Sequence, residues 1–188
     1  VTRATMYGAG YTNVFDTYLS PQEYKGIELR ITRESQRMTH LMRDNIMRQT
    51  LFQAYAGYTH NRVDNNNTFS SLANWNYALH YLFRLSPQLT LTAGAAADLN
   101  GGFVYNLRNG NNPAQARAYV SLDATGMAIY KTRIRRLPLT LRYQLTVPLA
   151  GIQFMPEYGA SYYEIFSLGH ASGVVRFTSL HNQPSLRQ

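Results

Sequence analysis

The chain has 188 residues, with 18 Lys and Arg against 10 Asp and Glu, a formal net charge of +8 at pH 7, and no cysteine. That length suits one domain, residues 1–188. The composition excludes disulfides and thiolate metal sites, and no apolar run approaches the ~18 residues that a membrane-spanning helix needs. The charge is unusual in kind: only Lys25 and Lys131 are lysine, so cationic character rests on Arg, and polarity otherwise on Asn, Gln, Ser and Thr beside 15 Tyr. A soluble surface rich in Lys and Glu reads differently; this profile suits a polar lumen with aromatic belts.

Thr2 to Tyr11 is Gly-rich and leaves its facing open. Tyr24 to Gln36 alternates, with Ile27, Leu29 and Ile31 on one face and Glu28, Arg30, Thr32 and Glu34 on the other. Gln49 to Thr59 sets Phe52, Ala54, Ala56 and Tyr58 against Gln49, Gln53, Tyr55 and Thr59. Asn74 to Arg84 is the clearest element: Trp75, Tyr77, Leu79, Tyr81 and Phe83 oppose Asn74, Asn76, Ala78, His80, Leu82 and Arg84. Such a period of two is a strand signal. Leu89 to Asn100, Gln115 to Lys131 and Leu139 to Val147 repeat it, with Asp98, Arg117, Asp123 and Arg142 on polar faces. Tyr158 to Leu168 and Val174 to His181 are expected strands, with Glu164 and Arg176 inward and Tyr163, Ile165 and Phe177 outward. The joint from Val147 to Tyr158 reads equally as one long loop or as an extended strand pair.

Connections at 12–23, 61–73 and 99–114 read as long loops rich in Asn, Asp, Gly and Ser. Those at 85–88, 132–137 and 169–173 read as short, and 37–45 as longer than the alternation prefers. Long external loops and short periplasmic turns mark bacterial outer-membrane barrels, which places Val1 at the periplasmic side. The expected fold is therefore all-β: an antiparallel transmembrane β-barrel with polar side chains filling its lumen.

Energetics fix the facing. A lipid-exposed Arg or Lys costs about 2–4 kcal/mol at the bilayer midplane and little near the interfaces. With polar faces inward, Glu28, Arg30, Asp98, Arg117, Asp123, Arg142 and Glu164 all avoid lipid. Only Arg33 and Arg48 face outward, and both lie near the 37–45 turn. The reverse arrangement crowds aromatic rows from every strand into a narrow centre that has no room for them. Charges of both signs inside a narrow barrel are expected to pair across it, chiefly Asp98 and Asp123 with Arg117 or Arg142.

The ends carry two further expectations. No charged-then-apolar stretch occurs at Val1, as if an export signal had been removed. At the other end, His181 to Ser185 reads as a turn and Leu186 to Gln188 as the start of another strand. Open edges in lipid leave backbone groups unpaired, so further strands are expected, giving about 10 to 12 in the closed barrel.

No catalytic, cofactor-binding or metal-binding residues are assigned. His40, His60, His80, His170 and His181 form no metal-ligand pattern. His80 lies mid-strand with Asn76, Ala78 and Leu82 as same-face neighbours, so it reads as a satisfied lumen histidine and not as half of a Ser-His pair. Gly101-Gly102 and Gly110 to Asn112 read as flexible turns, because no strand-to-helix context makes them phosphate loops. Asp64 to Asn67 lacks the further acids of a calcium loop and reads as a solvated external loop. Arg133, Arg135 and Arg136 read as interfacial arginines beside a membrane strand. Scattered arginines without an RNA-binding signature or basic helix leave nucleic acid off the partner list.

Tyr11-Thr-Asn-Val-Phe-Asp-Thr-Tyr-Leu-Ser-Pro21, followed by Glu23-Tyr-Lys-Gly26, resembles a segment near the start of an uncharacterised outer-membrane barrel family of Bacteroides-type bacteria. Leu180-His-Asn-Gln-Pro-Ser185 is similar to a second stretch of that family, beyond which its chains continue into further strands. The resemblance covers the whole chain. It implies a β-barrel in the cell outer membrane and brings no catalytic residues with it.

The resulting expectation is a non-enzymatic structural or accessory subunit of an outer-membrane complex for assembly, secretion or uptake. Its expected partners are outer-membrane lipids and other outer-membrane or periplasmic proteins. A small-solute channel is the first alternative and a lipid-modifying enzyme the second, since one barrel architecture hosts many activities.

Overall fold

The computed structural model describes residues 1–16, 19–108, 110, 113–154 and 175–179. They form one antiparallel sheet of eight strands in simple sequence order. The strands are β1 (Thr2–Phe15), β2 (Glu23–Met38), β3 (Ile46–Asn61), β4 (Asn67–Arg84), β5 (Leu89–Asn106), β6 (Ala114–Ile134), β7 (Leu137–Phe154) and β8 (Val175–Ser179). No helix among the described residues is long and apolar enough to cross a membrane. The sheet is open: β1 and β8 are its edges. The expected strand at Tyr158 to Leu168, the turn at 169–173 and the chain from His181 onward lie outside the described residues.

The alternation decides which face is sheltered. Along β4 the side chains of Thr68, Ser70, Asn76 and His80 are buried, whereas Trp75, Leu79, Tyr81 and Phe83 are exposed. Trp75 keeps 44% of its surface accessible and His80 keeps none. The same inversion runs through β2, where Thr32 and Glu34 are buried and Ile27 and Leu29 exposed. It continues in β6, where Ser121, Asp123 and Thr125 are buried and Val120 and Leu122 exposed. Water-soluble sheets bury the opposite set.

The polar face is sheltered because the sheet curls around it. Strands in a sheet lie about 4.8 Å apart, yet Arg142 on β7 donates to Glu34 on β2 at 2.6 and 2.7 Å. Five inter-strand steps are bridged by two side chains, which demands a deep concavity. Strand β1 joins it with Gly8 and Gly10 opposite Arg30 and Glu28. Tyr7 and Tyr11 lie on the exposed face, so the facing left open by the sequence resolves.

Several strands outrun their expected bounds. The connections at 61–73 and 99–114 shrink to 62–66 and 107–113, and that at 12–23 to 16–22. Gly101 and Gly102 are not a turn; they sit inside β5 opposite Ala73 and Leu72. Gly102 is required there because a Cβ would collide with the Ser71 carbonyl. The physical reason is shared: Asn, Ser, Thr and Gly imitate a loop when they line the polar face of a strand. Strand β7 runs through Leu149 to Phe154, with a register shift against Leu122 and Asp123 that leaves Leu149, next to Pro148, as the extra residue. That resolves the first part of the joint after Val147 as strand.

Candidate functional site

Among the described residues, the network of buried polar side chains lies on the concave face, in three levels. At the level nearest the 39–45 and 85–88 turns, Glu34 is the hub. Both carboxylate oxygens take the Arg142 guanidinium, and Gln36 and Gln49 add Nε2 donors at 2.8 and 2.6 Å. A bidentate guanidinium–carboxylate pair of this kind is both strong and directional.

The carboxylate then dictates the polarity of its neighbours. Glu34 only accepts, so Gln49 must present its amide NH2 and turn Oε1 away. That oxygen accepts from Gln144 Nε2 at 3.1 Å and faces His80 Nε2 at 3.0 Å. Hence His80 carries its proton on Nε2, leaving Nδ1 to accept from Thr92 Oγ1 at 3.2 Å. Thr92 in turn accepts the Met127 N–H at 3.1 Å. One carboxylate thereby sets a hydrogen-bond direction through β3 and β4 to β5.

At the opposite level Tyr24 organises the other end. Its hydroxyl accepts from Asn66 Nδ2 at 3.0 Å and Asn106 Nδ2 at 3.2 Å, and donates to Ser20 Oγ at 3.2 Å. Asn61 ties in Asn65 and Gln22 through its Nδ2 at 2.7 and 2.8 Å. The expected solvated loop at 64–67 therefore sends Asn66 inward, and Asn67 already belongs to β4. Leu19 packs on Val104 beneath the segment that connects β1 to β2, and Arg117 Nη2 donates to Asp16 at 2.8 Å. Asp16, Leu19 and Gln22 of that connection are thereby tied to inner residues at this end.

Between the two levels lies a cavity of about 350 Å³, with Arg30, Gln53, Tyr55, Asn74, Asp98, Asn100 and Tyr119 in its lining. At about 30 Å³ each it has room for roughly ten waters. Asp98 is wrapped by the amides of Asn74, Asn76 and Asn100. Arg30 bonds Glu28 at 2.7 and 3.1 Å and lies over the Tyr55 ring, 5.7 Å from its centroid. The chamber can hydrogen-bond a small polar solute, and a hydrogen-bonded polar cluster lies towards each end of it.

The expected ion pairs of Asp98 and Asp123 are corrected. Arg142 goes to Glu34 and Arg117 to Asp16. Curvature brings β7 onto β2, while the amides around Asp98 take the place of a cation. The register does set Asp98 and Asp123 diagonally on β5 and β6, and Asp123 Oδ1 is buried with no hydrogen-bond partner. His80 lies where its strand position implied, on Gln49 and Thr92. Among the described residues no group of three or more His, Asp or Glu could hold a metal ion. The reach of Gln144 across to Gln49 and the inward fold of Asp16 were not legible, since neither has a local sequence signal.

These features define an antiparallel β-sheet protein turned inside out, with a hydrogen-bonded polar interior and an apolar exterior. The chain belongs to a family of proteins of unknown function, DUF3316, whose model matches residues 1–188. Comparison with curated proteins and with solved structures finds no match.

Proposed function

We propose that this chain forms the wall of a β-barrel in a bacterial outer membrane and serves as a sealed, non-enzymatic structural or accessory subunit of a complex there. The observation that carries the reading is the pairing of exposed apolar rows with a concave polar face clasped by Glu34 and Arg142. Lipid is the solvent in which that arrangement is favourable. In water, rows such as Trp75, Leu79, Tyr81 and Phe83, repeated along neighbouring strands, would make a contiguous apolar face of the kind that monomers rarely expose. Strands of 14 to 21 residues in β1 to β7 also exceed the ~10 that cross a bilayer, leaving ends that project beyond it.

Closure in this reading requires that β1 and β8, the outer strands among the described residues, be bridged within a ring of about 10 to 12 strands. The test is refolding into phospholipid vesicles. Heat-modifiable electrophoretic mobility and protection of β2 to β7 from protease support the barrel; a water-soluble monomer without detergent defeats it. Crosslinking in cells then addresses the subunit role, which fails if only the monomer is recovered.

The 350 Å³ chamber favours a second reading, a small-solute channel. Stable planar-bilayer currents that shift on replacing Arg30 or Arg142 would establish it over the sealed barrel.

A further inference from the structure

The outer face holds one group of residues that the membrane reading alone leaves unexplained. Register places Arg3 opposite Ser35, Arg33 opposite Phe52, and Arg37 directly opposite Arg48. All four arginines are exposed and lie on the same face as Phe52 and Leu79, away from the concavity. Ser35 and Thr50 face each other between them, so two hydroxyls sit within a ring of four guanidinium groups.

Nothing described neutralises that ring. Glu23, Glu28, Asp16 and Glu34 pair with Lys25, Arg30, Arg117 and Arg142. Asp44 and Asp64 lie beside His40 and His60, and Asp98 and Asp123 line the concave face. Like charges directly opposite in a sheet repel, so Arg37 against Arg48 favours an added anion. The ring covers about 10 Å by 13 Å, from strand spacing and rise per residue. It borders Ile31 and Phe52, where the exposed apolar rows begin.

We infer that Arg3, Arg33, Arg37 and Arg48, with Ser35 and Thr50, bind the phosphate headgroup of an anionic lipid whose acyl chains lie along Ile31 and Phe52. The inference rests on the membrane-barrel reading. Guanidinium forks match phosphate oxygens in pairs, and the hydroxyls supply further donors. Charge complementarity selects an anion; the adjoining apolar rows select one that carries hydrocarbon.

The test uses the full chain refolded in mild detergent with phosphatidylglycerol, with retained lipid counted by native mass spectrometry. The wild-type chain is expected to keep bound lipid. An R33Q/R37Q variant should bind it about thirtyfold more weakly, and R33K/R37K should recover part of the loss. Arg62→Gln, at the opposite end, should change nothing. If the double variant does not fold, the wild-type chain still decides: roughly 0.5 M salt should strip its lipid. A folded, inserted R33Q/R37Q protein with undiminished lipid overturns this site and leaves the barrel reading intact. So does retention by the wild type that ignores salt, or an acidic peptide that binds the ring while lipid does not. Failure to insert into vesicles at all removes both.

Discussion

Replacing Glu34 with Gln isolates the clasp between β2 and β7. The carboxylate accepts four hydrogen bonds, two from Arg142 and one each from Gln36 and Gln49. Gln offers one oxygen in place of two and turns an NH2 toward donors that are already there. Removing one partner of a buried ion pair costs about 3–5 kcal/mol. The Arg142 side chain is 34% exposed, and water screens part of the loss. The expected cost is therefore at the low end, about 3 kcal/mol. Denaturant unfolding in detergent micelles, followed by tryptophan fluorescence of Trp75, reads it directly. Replacing both partners, as E34Q/R142Q, should return much of the stability, because no uncompensated charge is left inside. The Glu34→Gln variant also frees Gln49 to invert, so nitrogen NMR of His80 should show the proton divided between Nε2 and Nδ1. A single variant that costs under about 1 kcal/mol, or a double variant no better than the single, would refute the role given to Glu34.

Leu29→Arg places a charge on the exposed apolar row of β2, about 13 Å along the strand from Arg33, and should cost about 2–4 kcal/mol of folding stability in vesicles; a neutral result there would mean that this row meets water. Gly94→Ala should disrupt the β4–β5 ladder beside His80, since the new methyl meets the Leu79 carbonyl. A loss of at least about 1–3 kcal/mol is expected by equilibrium unfolding. Arg135 turns between β6 and β7 with φ of 57°, so Arg135→Gly should raise stability by about 1 kcal/mol, visible as a shifted unfolding midpoint.

Much of the fold was written in alternation, and the exceptions have one cause. Trp75 to Phe83 announced strand and face together, because large apolar and small polar residues differ sharply there. Asn67 to Ala73 and Asn100 to Asn106 did not, although they continue the same strands, because a polar inner face beside small residues has the composition of a loop. Local pattern also placed Glu34, Arg142 and His80 inward. It carried no information on which inward residue meets which, since that depends on the curvature of the whole sheet. Arg142 was matched to the carboxylates nearest along the sheet, and bending brought it to Glu34 instead.

The contact between Glu34 and Arg142 joins residues 108 positions apart in sequence. A tie across an arch does nothing until the second abutment is built. A nascent chain released with only β1 to β6 would lack that tie, and Glu34 would have no counter-ion to hold. The contact that holds β2 against β7 thus depends on a strand that comes late in the chain.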